Sequence, residues 1–184
     1  MTRAALTFLL VMAVAATGEA PAAELALASR ELRAGLRAVE RSIDRGFGGS
    51  SIVMIGNTRG GYLHGFGAVF TLEVNVVPMA NLSPFKPSYT EKELRLLNQR
   101  KRDRLPELEE LAARILVDQA GKLGAIPEGE KIALLISLFH FTWEDADDLP
   151  AQVVIQVPRR ALLDRQAGRI NEQELTERLM VRRF

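Results

Sequence analysis

The stretch RGGYLHGFGAVFTLEV, residues 59–74, decides the fold, because its Gly-x-Gly reads either as a phosphate-cradling loop or as a strand that contains glycines. Parity settles the choice. Phe66, Ala68, Phe70, Leu72, Val74 and Val76 are apolar, whereas Gly65, Gly67, Thr71, Glu73 and Asn75 take the alternate positions, so a strand period runs through the glycines. A dinucleotide loop requires G-x-G-x-x-G leading directly into a helix whose N-terminus binds the pyrophosphate. Here Phe70 stands where the third glycine belongs, and the extended pattern continues to Pro78. The stretch is therefore a strand, in which Gly65 and Gly67 mark a bulge, a bend or a close approach of another backbone.

Upstream of it, SIVMIG (residues 51–56) is a short β-branched run, apolar at both parities, and NTRGG (residues 57–61) reads as the hairpin turn between two strands. Before that, Leu32, Leu36, Val39, Ile43 and Phe47 recur at steps of four, three, four and four, the apolar face of an amphipathic helix that the glycines of GFGGS stop. Downstream, a proline-punctuated connector leads to Thr90. Thr90 with Glu93 forms a capping box, and Tyr89 with Leu94 takes the staple positions of a helix. Pro106 predicts a kink near Leu105 or a division into two helices, with the end near Gly121 or Gly124.

KIALLISLFHF (residues 131–141) is apolar at both parities and reads as a central strand; AQVVIQVP (residues 151–158) is a further strand that Pro158 ends. A short helical piece around 161–166 closes at Gly168, and Asn171 with Glu174 caps a last helix. The order is α-β-β-α-β-β-α. Short links between neighbouring strands predict an α+β domain with about four mainly antiparallel strands and helices on one face. A crossover between Phe141 and Ala151 would make the sheet mixed.

At the N-terminus, Arg3 precedes AALTFLLVMAVAATG, an apolar run shorter than the ~20 residues of a bilayer-spanning helix, and Ala20 and Ala22 stand at A-x-A spacing. Residues 1–23 are expected to be a cleaved signal peptide, with 24–184 a single domain that carries no transmembrane segment. A bacterial periplasmic or secreted address follows as an expectation. The absence of cysteine excludes a lipobox, disulfides, zinc-thiolate sites and cysteine nucleophiles. With 24 basic against 23 acidic residues, no global field recruits nucleic acid or an anionic membrane.

Candidate chemistry is sparse. The two histidines, His64 and His140, are expected at strand ends, where they could meet across the sheet and, with Glu73 or Asp145, bind a metal or move protons. Phe139, Phe141 and Trp143 form an aromatic stripe, either core or the wall of a ligand pocket beside His140. EDADD (residues 144–148) lacks EF-hand grammar and reads as a solvated acidic turn; Ser50 lacks a nucleophile elbow and reads as a turn residue. The basic run RKRDR (residues 100–104) reads as solvated, or as a contact for an acidic partner. With no cofactor motif, the leading expectation is a non-enzymatic interaction or accessory domain with an unknown protein partner. The alternatives are an enzyme using His64 and His140, and a self-associating structural protein whose second copy covers a sheet face that the helices leave open.

Overall fold

The alternation around Phe70 becomes the middle of a mixed sheet. The computed structural model describes residues 20–77, 89–144 and 146–184, with side chains from residue 29 onward except that of Ala120. The leader residues 1–19, most of the proline connector and Asp145 lie outside them. The elements are α1 (Ala20–Gly48), β1 (Val53–Met54), β2 (Arg59–Leu63), β3 (Gly67–Asn75), α2 (Glu91–Asp118), β4 (Lys131–Leu138), β5 (Gln152–Pro158), α3 (Arg159–Gln166), α4 (Glu172–Arg178) and β6 (Met180–Arg183). Ala20 to Ala23, where cleavage is expected, fall in the first turn of α1.

The sheet has six strands in the order β1-β3-β4-β5-β6, with β2 also on β3. β1 and β2 lie one after the other along a single edge of β3, through Met54↔Val74 and then Arg59↔Thr71 to Leu63↔Gly67. Every pairing is antiparallel except β3–β4, which is parallel from Gly67↔Lys131 to Val74↔Leu138. The expected four-stranded, mainly antiparallel sheet is thus corrected to a mixed one. The cause is α2: a 28-residue helix between β3 and β4 returns the chain to the end where β3 began, as parallel pairing requires. The connection from β4 to β5 does not cross over.

The hairpin turn also moves. RGGYL is strand β2, and the turn is His64–Gly65–Phe66, closed by Phe66 N–H donating to the Leu63 carbonyl at 3.0 Å. Gly65 takes φ +79° there, and Gly67 takes φ +124°. A Cβ on Gly67 would stand 1.9 Å from the carbonyl oxygen of Lys131, so the close backbone approach read from the sequence is real at this residue.

Parity then sorts the sheet into two faces. Ala68, Phe70, Leu72 and Val74 of β3, Ile132, Leu134, Ile136 and Leu138 of β4, and Val153, Ile155 and Val157 of β5 join one core with residues from all four helices. The alternate residues of these strands are not in that core. Ala133 (1% exposed) and Val154 (7%) are buried on this second face, Val69, Leu135, Ser137 and Gln156 are half-buried, and Thr71 and Glu73 are exposed. The helices therefore cover one face of the sheet and leave the other open.

Helix α2 runs unbroken through Pro106, one helix and not two. Pro106 is exposed, and its neighbours Leu105 (3% exposed) and Leu108 (0%) anchor both halves in the core, which outweighs the lost backbone bond. The capping boxes at Thr90/Glu93 and Asn171/Glu174 are both formed. On α1, Gly46 lets α2 approach, since a Cβ there would fall 2.5 Å from Ile115 Cδ1. The chain does not end in helices as expected: β6 follows α4 and pairs with β5.

Candidate functional site: a buried charge cluster beneath an aromatic loop

In α2 the buried residues are Leu97, Lys101, Leu105, Leu108, Ala112, Ile115 and Leu116. A lysine thus stands in the apolar stripe, one of the five residues of the basic run expected to be solvated. Its side chain is 2% exposed. Three others of that run are engaged locally: Arg104 donates to Glu107 at 3.2 Å, Arg102 to Gln99 at 3.1 Å, and Asp103 accepts from Gln99 at 2.7 Å.

The loop after β4 closes over Lys101. Phe139 N–H continues the ladder by donating to the Val74 carbonyl at 2.8 Å, and the Glu144 N–H donates to the Phe141 carbonyl at 3.0 Å. This geometry turns three acceptors inward. The Lys101 ammonium donates to the Phe139 carbonyl at 3.2 Å, to His140 Nδ1 at 3.3 Å and to Glu144 Oε2. An ammonium has three protons, and all three are taken. The Glu144 side chain is 0% exposed, so the first residue of the acidic loop is an inward-facing anion and not part of a solvated turn.

His140 Nε2 lies 3.3 Å from the Pro150 carbonyl, which only accepts. Nε2 thus donates to Pro150, and Nδ1 faces both the Lys101 ammonium and, at 3.6 Å, Glu144 Oε2. Lys101 and Glu144 form a buried pair with the His140 ring beside it. Breaking such a buried pair by removing one member costs about 3–5 kcal/mol, because the other charge is left unpaired in a low-dielectric setting.

Above the cluster the odd-numbered aromatics form a ladder. Phe139 meets Phe141 edge to face at 4.8 Å between ring centroids, Phe141 stacks on Trp143 at 4.9 Å, and Trp143 stacks on Tyr89 at 4.7 Å. Both faces of Trp143 are covered, although the residue is 40% exposed. Tyr89 precedes the Thr90 cap, so the ladder ties the start of α2 to the loop that Lys101 holds from below.

Of the residues expected to form a pocket, His140, Phe141 and Trp143 come together here; His64 does not. It is exposed on the β2–β3 turn, at the end where β4 begins, whereas His140 lies beyond the end of β4. Because β3 and β4 are parallel, the eight residues of β4 at ~3.3 Å each keep the two rings roughly 25 Å apart. Glu73 is exposed on the open face, and Asp145 lies outside the described residues. Among the described residues no group of three potential metal ligands converges. The Ser50 hydroxyl donates to the Phe47 carbonyl at 2.8 Å and accepts from Ile52 N–H at 3.2 Å, a turn-forming role.

A second buried carboxylate sits at the opposite end of the sheet. Glu130 Oε1 accepts from the Tyr62 hydroxyl at 2.9 Å and from Gly65 N–H at 3.0 Å, which pins the β2–β3 turn to the start of β4. The hydrogen bond to Glu130 is the main reason that the Tyr62 hydroxyl titrates above its ordinary value.

Sequence reading missed Lys101 and Glu144. The signal for Lys101 was present: Leu94, Leu97, Leu105 and Leu108 leave one gap in a helical stripe, and residue 101 fills it. Nothing in the sequence marks Glu144 apart from Asp147 and Asp148, because its burial depends on a turn made by the loop as a whole. The chain matches no protein-family model, no curated protein and no solved structure.

Proposed function

We propose that this chain is an exported, non-enzymatic interaction or accessory domain of the bacterial envelope. One observation carries the non-enzymatic part. The most deeply buried charged cluster directs its groups at one another: the three protons of Lys101 are taken, Glu144 is sealed beneath the loop, and the proton of His140 is held by Pro150. A group engaged in this way orders a loop and presents neither a base nor a nucleophile to a substrate. What the molecule does present is surface, in the open sheet face and a free strand edge. The exported address rests on the apolar leader, and no helix among the described residues is long and apolar enough to cross a membrane.

Photo-crosslinkers placed at Thr71 on the open face, at Val181 on the edge and at Arg41 on α1 test the interaction reading in cells. Discrete adducts from Thr71 or Val181, absent from Arg41, are expected. Silence from both surfaces, together with turnover on a hydrolase panel abolished by Lys101→Met or His140→Ala, would overturn it. An export-dependent reporter fused after residue 24 is expected to be active.

The sheet's single helical layer favours a second reading, self-association through the open face. Light scattering separates the two, since a monomer that is independent of concentration removes the second.

A further inference from the structure

Strand β6 ends the sheet, and its outer edge has no partner among the described residues. The direction of its backbone groups follows from the ladder. Phe184 N–H donates to the Gln152 carbonyl at 2.9 Å and Gln152 N–H returns the bond at 3.1 Å, so these two form a hydrogen-bonded pair. Antiparallel pairs alternate, and the register sets Arg182 against Val154 and Val181 against Ile155. Arg182 and Met180 therefore bond inward to β5, while the N–H and C=O groups of Val181 and Arg183 point outward.

The side chains alternate in the same way. Val181 and Arg183 lie on the helix-covered face, where Arg183 donates to Glu109 of α2 at 2.6 and 3.0 Å; Arg182 lies on the open face. Beneath Val181 is a groove of about 410 Å³ between α2 and α4, lined by apolar Ala113, Val117, Leu175 and Leu179 and by the charged Glu109, Glu110, Arg114 and Glu172. Ile155, the partner of Val181 on β5, is 0% exposed, yet Val181 is 42% exposed at the mouth of this groove; Met180 and Phe184, 41% and 64% exposed, share the open face with Arg182.

The opposite edge differs. There α1 engages part of the edge: Glu40 accepts from Gly60 N–H at 2.7 Å and Asp44 from Thr58 N–H at 2.9 Å. The β6 edge has no such cover among the described residues and is open to strand addition.

We propose that β6 is a docking edge for an extended segment of a partner protein that alternates apolar and acidic residues, apolar side chains entering the α2–α4 groove and an acidic one opposing Arg182. Charge selects the partner over a second copy of this chain. Two β6 strands paired with Val181 opposite Arg183 of the second copy, the register that uses all four outward groups, would set Arg182 directly against Arg182, and like charges at a close cross-strand pair destabilise it. This inference rests on the interaction reading above, and the two fail separately.

The test uses labelled seven-residue peptides alternating valine with aspartate or valine with lysine, titrated into the purified chain, with hydrogen exchange read at individual amides. The expected result is saturable binding of the aspartate peptide, about tenfold or more tighter than the lysine peptide, with slowed exchange at Val181 and Arg183. Arg182→Glu reverses the preference. Val181→Pro abolishes binding while the β5–β6 ladder persists, since that N–H takes no part in it. A folded chain that binds neither peptide, binds both equally, or shows its slowed amides away from β6 overturns the inference. If crosslinks nevertheless form at Thr71, the interaction reading stands and this docking edge falls; if both surfaces are silent and turnover abolished by Lys101→Met or His140→Ala is found, both fall.

Discussion

The two ends of the β3–β4 pair each hold a buried carboxylate, and they hold it by different means. Beyond the C-terminal ends, Glu144 is paired with the Lys101 ammonium and sealed by an aromatic loop. Before the N-terminal ends, Glu130 accepts from a phenol and a backbone N–H of the adjoining turn. At each end one carboxylate oxygen is buried without a protein partner, Glu144 Oε1 and Glu130 Oε2. The lesson is about failure. A full counter-charge makes the first end intolerant of losing either member, whereas the second end depends on backbone shape as much as on the carboxylate.

Lys101→Met is the harshest way to break this contrast. It removes the ammonium that pairs with the buried Glu144 carboxyl, and denaturant unfolding is expected to show a loss of about 3–5 kcal/mol. At the opposite end, the largest effect comes from a residue without a side chain. Gly67→Ala places a Cβ against the Lys131 backbone at a φ of +124°, and a loss of about 2–3 kcal/mol is expected from the same measurement. Trp143→Ala removes two stacked contacts from the ladder, a loss of about 1–2 kcal/mol confined to the Lys101 end.

Glu130→Gln sharpens the comparison, because the amide retains an acceptor for Tyr62 and Gly65. The expected stability loss is smaller than any of these, while the Tyr62 hydroxyl, followed by ultraviolet titration, moves back toward its ordinary value. The sign follows from linkage. A raised folded-state value stabilises below the unfolded phenol range, and that contribution disappears as pH rises through the raised value. Asp164, on α3, serves as a control with the opposite sign. The hydrogen bond from Arg169 holds its carboxyl below the ordinary range, so its contribution is present above the unfolded carboxylate range and is lost as pH falls through the folded value. Asp164→Asn is expected to flatten the acid limb of stability slightly and to leave the alkaline limb unchanged.

Legibility in the sequence followed the range of the interactions involved. The parity of residues 66–76, the stripe of α1 and both capping boxes are local patterns, and they read directly into elements. Strand direction did not, because whether β4 returns beside β3 parallel or antiparallel depends on the path of α2 as a whole. That one undetermined direction separated His64 from His140. The turn moved from residues 57–61 to His64–Phe66 for a similar reason: two glycines in RGGYL signal a turn locally, but pairing with residues 67–71 and the carboxylates of α1 hold the segment extended. β6 carries only four residues, too few for a period, and its two arginines obscure the strand pattern. At the candidate site the aromatic stripe was visible, and the charges beneath it were not.

A double-mutant cycle on Lys101→Met and Glu144→Leu, followed through the single tryptophan, Trp143, tests most directly whether these charges serve each other. Each single variant is expected to be strongly destabilised and to red-shift the native Trp143 emission, and the double variant to recover most of the loss, a coupling of several kcal/mol on the order known for buried pairs. Additive losses, with native Trp143 emission unchanged in both single variants, would contradict the clamp and return Lys101 and Glu144 to the search for a reacting group.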